Sequence, residues 1–185
     1  MKTKQSGESA LLLLDVVKLL QERNAQYAVI GALAASVHGA VRASMDADVV
    51  LSVGIHEAKS LERTFSAAGF ITELTVGDAE DPIPGLLRLR DLHDNRVDLL
   101  IGLRGMEPKA FSRVLEVPFQ GEVLRFIGRE DFIAMKAFAG GPLDLIDAAR
   151  AISAAGHSLD LELVRRLAKS FGAAAAASLE RLLAR

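Results

Sequence analysis

The residues best suited to chemistry in this chain are three aspartates, each standing singly in an apolar run. Asp46 and Asp48 open the segment Asp46-Ala-Asp-Val-Val-Leu-Ser-Val53, and Asp98 lies inside Arg96-Val-Asp-Leu-Leu-Ile101. On a β-strand, residues two apart point to the same face, about 6.5 Å apart along the chain. Asp46 and Asp48 therefore converge on one place, where their repulsion is costly unless a cation compensates. Hard divalent ions such as Mg²⁺ (or Mn²⁺) take carboxylate oxygens, and phosphate oxygens complete the shell. A buried Asp98 is likewise expensive without a partner. If its strand lies beside residues 46–53, three carboxylates line one metal site. That is the inventory for two-metal phosphoryl or nucleotidyl transfer, with Asp98 placed to deprotonate an attacking hydroxyl. The structural alternative is that Asp46 caps a strand, Asp48 sits at a solvated edge and Asp98 pairs with a nearby arginine.

The elements that must position these groups follow from periodicity. Leu12, Val16, Leu19 and Leu20 mark one face of an amphipathic first helix. Residues 27–30 read as a short buried strand ending at Gly31, followed by a small apolar helix over 32–38 that stops at Gly39. Residues 46–53 read as a central strand, 56–68 as a helix, and 70–74 as a strand. Residues 76–85, rich in Gly, Asp and Pro, form the best candidate for a mobile loop. Two strands, 86–91 and 96–101, flank a turn at His93-Asp94-Asn95. A hairpin, 115–119 with 123–127, turns at Gln120-Gly121. From residue 129 the pattern is helical: 130–139, 144–155, 159–169 and an alanine-rich 173–183. The expected class is α/β (α+β), an antiparallel-leaning mixed sheet with helices. Residues 1–128 form the core, and 129–185 form a C-terminal helical segment packed on it as one unit.

Composition narrows the function. The chain has 185 residues, half of them hydrophobic, enough for a proper core. It has no cysteine, which removes thiolate nucleophiles, disulfides and cysteine-ligated zinc. The apolar run at 10–14 is interrupted by Asp15 and Lys18, unlike a secretory signal. No stretch reaches the roughly 20 apolar residues of a membrane span, so a cytoplasmic location is expected. The net charge of -2 lacks the basic excess of proteins that wrap duplex DNA. Arg88, Arg90, Arg96, Arg104, Arg165, Arg166 and Lys169 read mainly as solvated surface, with contact to a small polyanion as the alternative. His38, beside Gly39, and His157 are not needed for nucleotidyl transfer and read as structural.

The stretch Val29-Ile-Gly-Ala-Leu-Ala-Ala-Ser-Val-His-Gly-Ala-Val-Arg-Ala-Ser-Met-Asp-Ala-Asp-Val-Val-Leu51 resembles the signature of polymerase-beta-like nucleotidyltransferases. In that family a strand leads to Gly-Gly or Gly-Ser at a helix, then to Asp-X-Asp on the next strand. Thirteen residues separate Ala32 from Asp46 here. Gly39, Arg42 and Ser44 resemble the Gly…Arg-X-Thr-X-Asp pattern of small stand-alone bacterial members. Downstream, Glu130-Asp-Phe-Ile-Ala-Met-Lys136 and Gly140-Gly-Pro-Leu-Asp144-Leu-Ile-Asp147 are similar to the helical segment of AbiEii-type toxins. The resemblance covers roughly residues 25–150.

The resemblance implies a nucleotidyltransferase fold and Mg²⁺-dependent transfer of an NMP from an NTP to a hydroxyl on RNA, protein or a small molecule. It also implies a toxin–antitoxin setting, with an antitoxin protein as partner. Asp46, Asp48 and Asp98 would hold metal, while Gly31, Ala32, Arg42, Ser44, Lys136 and Asp144 would serve the nucleotide. A glycine where strand gives way to helix lets a triphosphate approach backbone N–H groups, and Lys136 adds a mobile point charge. As structural alternatives, Lys136 is a snorkelling surface residue, Arg42 stabilises a loop, and Asp144 and Asp147 favour a helix start. Three departures stand out: Ala32 for the usual second Gly or Ser, Gly141 and Leu143 where relatives carry basic residues, and Ser44 for Thr. They motivate a second reading, a catalytically weakened nucleotide- or partner-binding member. A third is an interaction domain whose helical tail forms an oligomer.

Overall fold

A computed structural model of the chain describes residues 1–78 and 80–184. The elements run α1 (Ser9–Glu22), β1 (Tyr27–Ile30), α2 (Gly31–Val37), β2 (Asp46–Leu51), α3 (Ala58–Ala67), β3 (Ile71–Val76), β4 (Gly85–Arg90), β5 (Arg96–Ile101), β6 (Leu115–Phe119), β7 (Glu122–Phe126), α4 (Arg129–Ala139), α5 (Pro142–Ala155), α6 (Leu161–Ser170) and α7 (Ala173–Leu183). The class is α/β, as its alternation of strand and helix patterns implies. The strands make one mixed sheet in the order β3-β4-β5-β2-β1-β7-β6. β2 pairs parallel with β5, and β1 parallel with β7. The remaining neighbours are antiparallel.

Alternation sorts the two faces of the sheet. Ala47, Val49, Val97, Leu99, Leu87 and Leu89 are fully buried on one face. There α1 lies over β5, β2 and β7, and α3 covers β3 and β4. Leu12, Leu13, Val16 and Leu20 of α1 are 0% exposed, and each such side chain contributes about 2 kcal/mol of transfer free energy. The other face carries Asp46, Asp48, Arg88, Arg96 and Asp98 at half-buried positions. A one-residue register slip would bury all five charged groups in the core, so the apolar face fixes where the charges stand.

The C-terminal helices share one buried cluster with the sheet. Two polar anchors set α4. Arg113 grips Asp131 in its first turn with two bonds of 2.7 and 2.6 Å. His38, buried at the end of α2, donates from Nε2 to the Ile127 carbonyl (2.8 Å) and packs its ring 5.1 Å from that of Phe132. α4 also packs against α5, α6 and α7.

Several boundaries differ from the sequence reading. The connection expected at 76–85 is shorter, because Val76 and Gly85 pair as the ends of β3 and β4. The helix expected from 56 opens as a 3₁₀ turn, Ile55–Glu57. α5 begins at Pro142 rather than 144, since proline suits a first helical position where no N–H bond is needed.

Candidate active site

β5 lies beside β2, so Asp48 stands directly opposite Asp98 and Asp46 opposite Arg96. On the outer side, antiparallel β4 sets Arg88 against Asp98 and Arg90 against Arg96. On the inner side, β1 brings Ile30 opposite Asp48, and the chain turns at once into α2. Gly31 makes that turn with φ +63°, and a Cβ there would lie 1.9 Å from Asp48 Oδ2. No side chain fits between this backbone and the carboxylate. The glycine thus serves the left-handed turn and the close approach together.

The electrostatics follow from this crowding. Burial, together with the charges of Asp46 and Asp98, pushes the Asp48 carboxyl up to about 6, against the pull of Lys136 and Arg96. Asp46 is held below the usual carboxylate range by the Ser44 hydroxyl, which donates to Oδ1 at 2.6 Å, and by the Arg96 guanidinium, which bonds Oδ2. Burial raises the Asp98 carboxyl although Arg96 and Arg88 oppose it. Their Nε atoms lie 3.5 and 3.4 Å from Asp98 Oδ1. These ion pairs attract, but Asp98 Oδ1, Arg88 Nε and Arg96 Nε are all buried without a hydrogen-bond partner.

Among the described residues, no three acidic or imidazole side chains form a ready metal cluster. Arginines take the place of a cation here: Arg96 pairs with Asp46, and Arg88 and Arg96 both approach Asp98. The donor set nevertheless suits a hard cation. It consists of carboxylate oxygens alone, one of them orphaned, around a carboxyl whose ionised form Lys136 and Arg96 compensate only in part.

Lys136 of α4 is buried, not a surface residue. Its Nζ lies 2.7 Å from Asp144 Oδ1 and 3.1 Å from Asp147 Oδ2, and 5.7 Å from the centre of the Phe132 ring. Asp147, 1% exposed, also accepts from Arg42 Nε at 3.2 Å. Asp144 stands in the first turn of α5, whereas Asp147 lies a turn further on and joins Lys136 to Arg42. Arg42 and Ser44 thus each engage a carboxylate. Ala32 is buried in α2, and Leu143 is exposed.

A cavity of about 460 Å³ opens beside Gly31, Lys136 and Asp144, walled by Leu100, Phe132, Met135 and Phe138. The sequence reading did not identify this cavity; its structural alternative, an arginine partner for Asp98, is met by Arg88 and Arg96, which it had not named for that part. The signal was present in the alternation of these arginines with buried leucine and valine, which puts them on the aspartate face.

No family model matches the chain, and no curated relative does either. Solved structures do. The solution structure of the antibiotic-resistance factor ANT(2'')-Ia aligns with a TM-score of 0.59 at 16% identity, covering 92% of this chain and 94% of that one. The lincosamide antibiotic adenylyltransferase LnuA, bound to lincomycin, aligns at 0.52 and 11% identity, covering 82% and 99%. A protein from Thermotoga maritima, proposed to be a nucleotidyltransferase, aligns at 0.57 and 15%, covering 74% and 88%. At such identities the likeness concerns architecture, and it is consistent: the chain has the nucleotidyltransferase fold.

Proposed function

We propose that the protein moves a nucleoside monophosphate from an NTP to a hydroxyl acceptor. The observation that carries this reading is the register of Asp48 against Asp98, with Asp46 on the same face and bare backbone at Gly31 beside them. Asp46, Asp48 and Asp98 would hold Mg²⁺ (or Mn²⁺). The bound ion supplies charge neutralisation at the phosphate under attack and at the leaving oxygen. Gly31 and Ala32 bring backbone N–H groups close to the phosphates, and the Lys136 ammonium faces the same space. Asp98 takes the acceptor's proton. Asp147 orients Lys136, with Arg42 as its second cation, and Ser44 orients Asp46. The apolar cavity beside Gly31 has the size and lining of a small-molecule site.

The neighbours support a small hydroxyl-bearing acceptor. One ANT(2'')-Ia structure contains adenylyl-2''-tobramycin, and the LnuA structure contains lincomycin. An RNA or protein acceptor, and an antitoxin partner, rest on the motif at 130–147 alone. Calorimetric titration with each of the four Mg-NTPs, beside an assay for labelled nucleotide transfer, tests the reading. Absence of binding to the wild type at millimolar concentration of every NTP, or transfer that persists unchanged in Asp48→Asn, would overturn it. One observation favours a binding protein that has lost turnover: Arg96 and Arg88 already hold Asp46 and Asp98. Tight NTP binding without transfer to any acceptor would support that second reading.

A further inference from the structure

Two cavities open along the charged face of the sheet, and β5 contributes a residue to each, on either side of Asp98 in the strand. Two residues beyond Asp98, Leu100 faces the apolar cavity beside Gly31 and Lys136. Two residues before it, Arg96 faces a second cleft of about 420 Å³, bounded by Arg88, Arg90, Glu73, Asp94 and Met45. Asp98 thus stands at the divide, with a lysine-bearing side suited to the NTP and an arginine-bearing side left for the molecule that attacks it.

The arginine side is built for negative charge. Arg90 and Arg96 are direct cross-strand partners on one face, an arrangement of like charges that destabilises a sheet unless anions intervene. The anions present are poor ones for the purpose. Glu73 and Asp94 reach Arg88 and Arg90 from 56% and 80% exposed positions, where ion pairs are weak and easily exchanged. Asp46 and Asp98 neutralise Arg96 and Arg88, but they are also the carboxylates suited to a divalent ion. Once they turn to a cation, two guanidinium groups with buried Nε atoms that already lack hydrogen-bond partners face the cleft. Guanidinium forks match carboxylate and phosphate oxygens two bonds at a time.

We propose that this cleft takes a small acceptor carrying an oxyanion, a carboxylate or a phosphate ester, beside the hydroxyl that is modified. The inference rests on the nucleotidyl-transfer reading above. In the transfer, the acceptor's hydroxyl oxygen bonds to the α-phosphorus as the bond from that phosphorus to the α–β bridging oxygen breaks. Pyrophosphate leaves with the electron pair, and the hydroxyl proton passes to the Asp98 carboxylate. Arg88, Arg90 and Arg96 hold the oxyanion and so aim the hydroxyl.

The test has two parts. The first compares transfer from labelled ATP, with magnesium, to matched acceptors: glycerol against glycerol phosphate and glycerate, and ribose against ribose phosphate. The charged members are expected to show kcat/KM at least about tenfold higher. Arg90→Gln raises their KM about tenfold, with part recovered in Arg90→Lys, as loss of one charge-assisted contact dictates. Glycerate and glycerol phosphate distinguish a carboxylate from a phosphate preference. The second part needs no turnover. Inorganic phosphate is titrated into the magnesium-loaded, nitrogen-15-labelled protein, and the Nε–H resonances of Arg88, Arg90 and Arg96 should shift. This titration decides the matter where none of the compounds is modified. Equal use of neutral and charged acceptors, unmoved arginine resonances, or preference for an oligonucleotide over every small anion would overturn the proposal. Failure of every Mg-NTP to bind in calorimetry would instead remove the nucleotidyl-transfer reading, while the phosphate titration still reports on the cleft.

Discussion

Asp48 and Asp98 occupy opposed register positions on parallel strands, and the first is pushed up to about 6 while the second is raised. Burial raises both, and the charges of Asp46 and Asp98 add to the rise at Asp48; such carboxylates are a liability for folding and, on the function proposed above, a resource for metal chemistry. The predictions below separate those two consequences.

The metal-free chain should gain stability when Asp48 becomes Asn. An ordinary aspartate titrates near 3.8, so in the unfolded chain Asp48 loses its proton first, while in the folded chain it keeps it until about 6. The folded state therefore binds more protons across that window, and stability falls as pH rises through it. The gap corresponds to about 3 kcal/mol, fully expressed above pH 6 and absent below the unfolded value. Urea unfolding of wild type and Asp48→Asn at acidic and alkaline pH checks this. An equal difference at both ends would contradict it.

On the function proposed above, the same variant should lose nucleotide transfer by at least about a thousandfold, since an amide oxygen brings a divalent ion no negative charge. Mg²⁺ should raise the melting temperature of the wild type and leave that of Asp48→Asn unmoved. Thermal melts with and without magnesium would refute the assignment if both proteins responded alike.

Gly31→Ala should be damaging out of proportion to its single methyl group. The substitution places a β-carbon 1.9 Å from Asp48 Oδ2 at a positive φ, adding about 1 to 2 kcal/mol of backbone strain to a steric conflict. A double variant with Asp48→Ala should recover part of the lost stability and none of the activity. Strict additivity of the two changes in a denaturant series would show that the contact is not the cause.

Asp147→Asn should cost about 3 kcal/mol, because it removes the shared buried counter-charge of Lys136 and Arg42. It should also weaken NTP binding, since Lys136 then relies on Asp144 alone. A stability loss under about 1 kcal/mol in urea would mean that the three groups do not act together.

Arg96→Gln should tighten Mg²⁺ binding several-fold. The guanidinium competes for Asp46 and Asp98, and removing a positive charge so close to a cation site also removes direct repulsion. Calorimetric titration with Mn²⁺ provides the measurement, and weaker binding would run against this account.

The aspartates were legible in the sequence because an isolated charge in an apolar strand has few bland explanations. Asp46, Asp48 and Asp98 also alternate with residues that the sheet buries, so their common face could be read from spacing. The sheet order could not. Nothing local to Tyr27–Ile30 says that it lies between β2 and β7, because parallel pairing joins segments far apart in sequence. An arginine partner for Asp98 was foreseeable as the structural alternative, but only the cross-strand register shows that Arg88 and Arg96 supply it, since both read as solvated surface. Lys136 and Asp147 form a pair across a helix turn and a glycine pair, Gly140-Gly141. Burial, which a sequence gives only indirectly, decides what that pair does.

The anchoring of α4 has a mechanical consequence. At its first turn the helix is clasped by Arg113, and along its length it is wedged against the three helices that follow. Lys136, near its other end, is therefore set like the tip of a rigid beam, whose angle is fixed by packing against the helices that follow. Loosening α6 or α7 would let that tip wander without touching any residue at the carboxylates, so, on the function proposed above, damage to the tail should register first as a blunted hold on triphosphate.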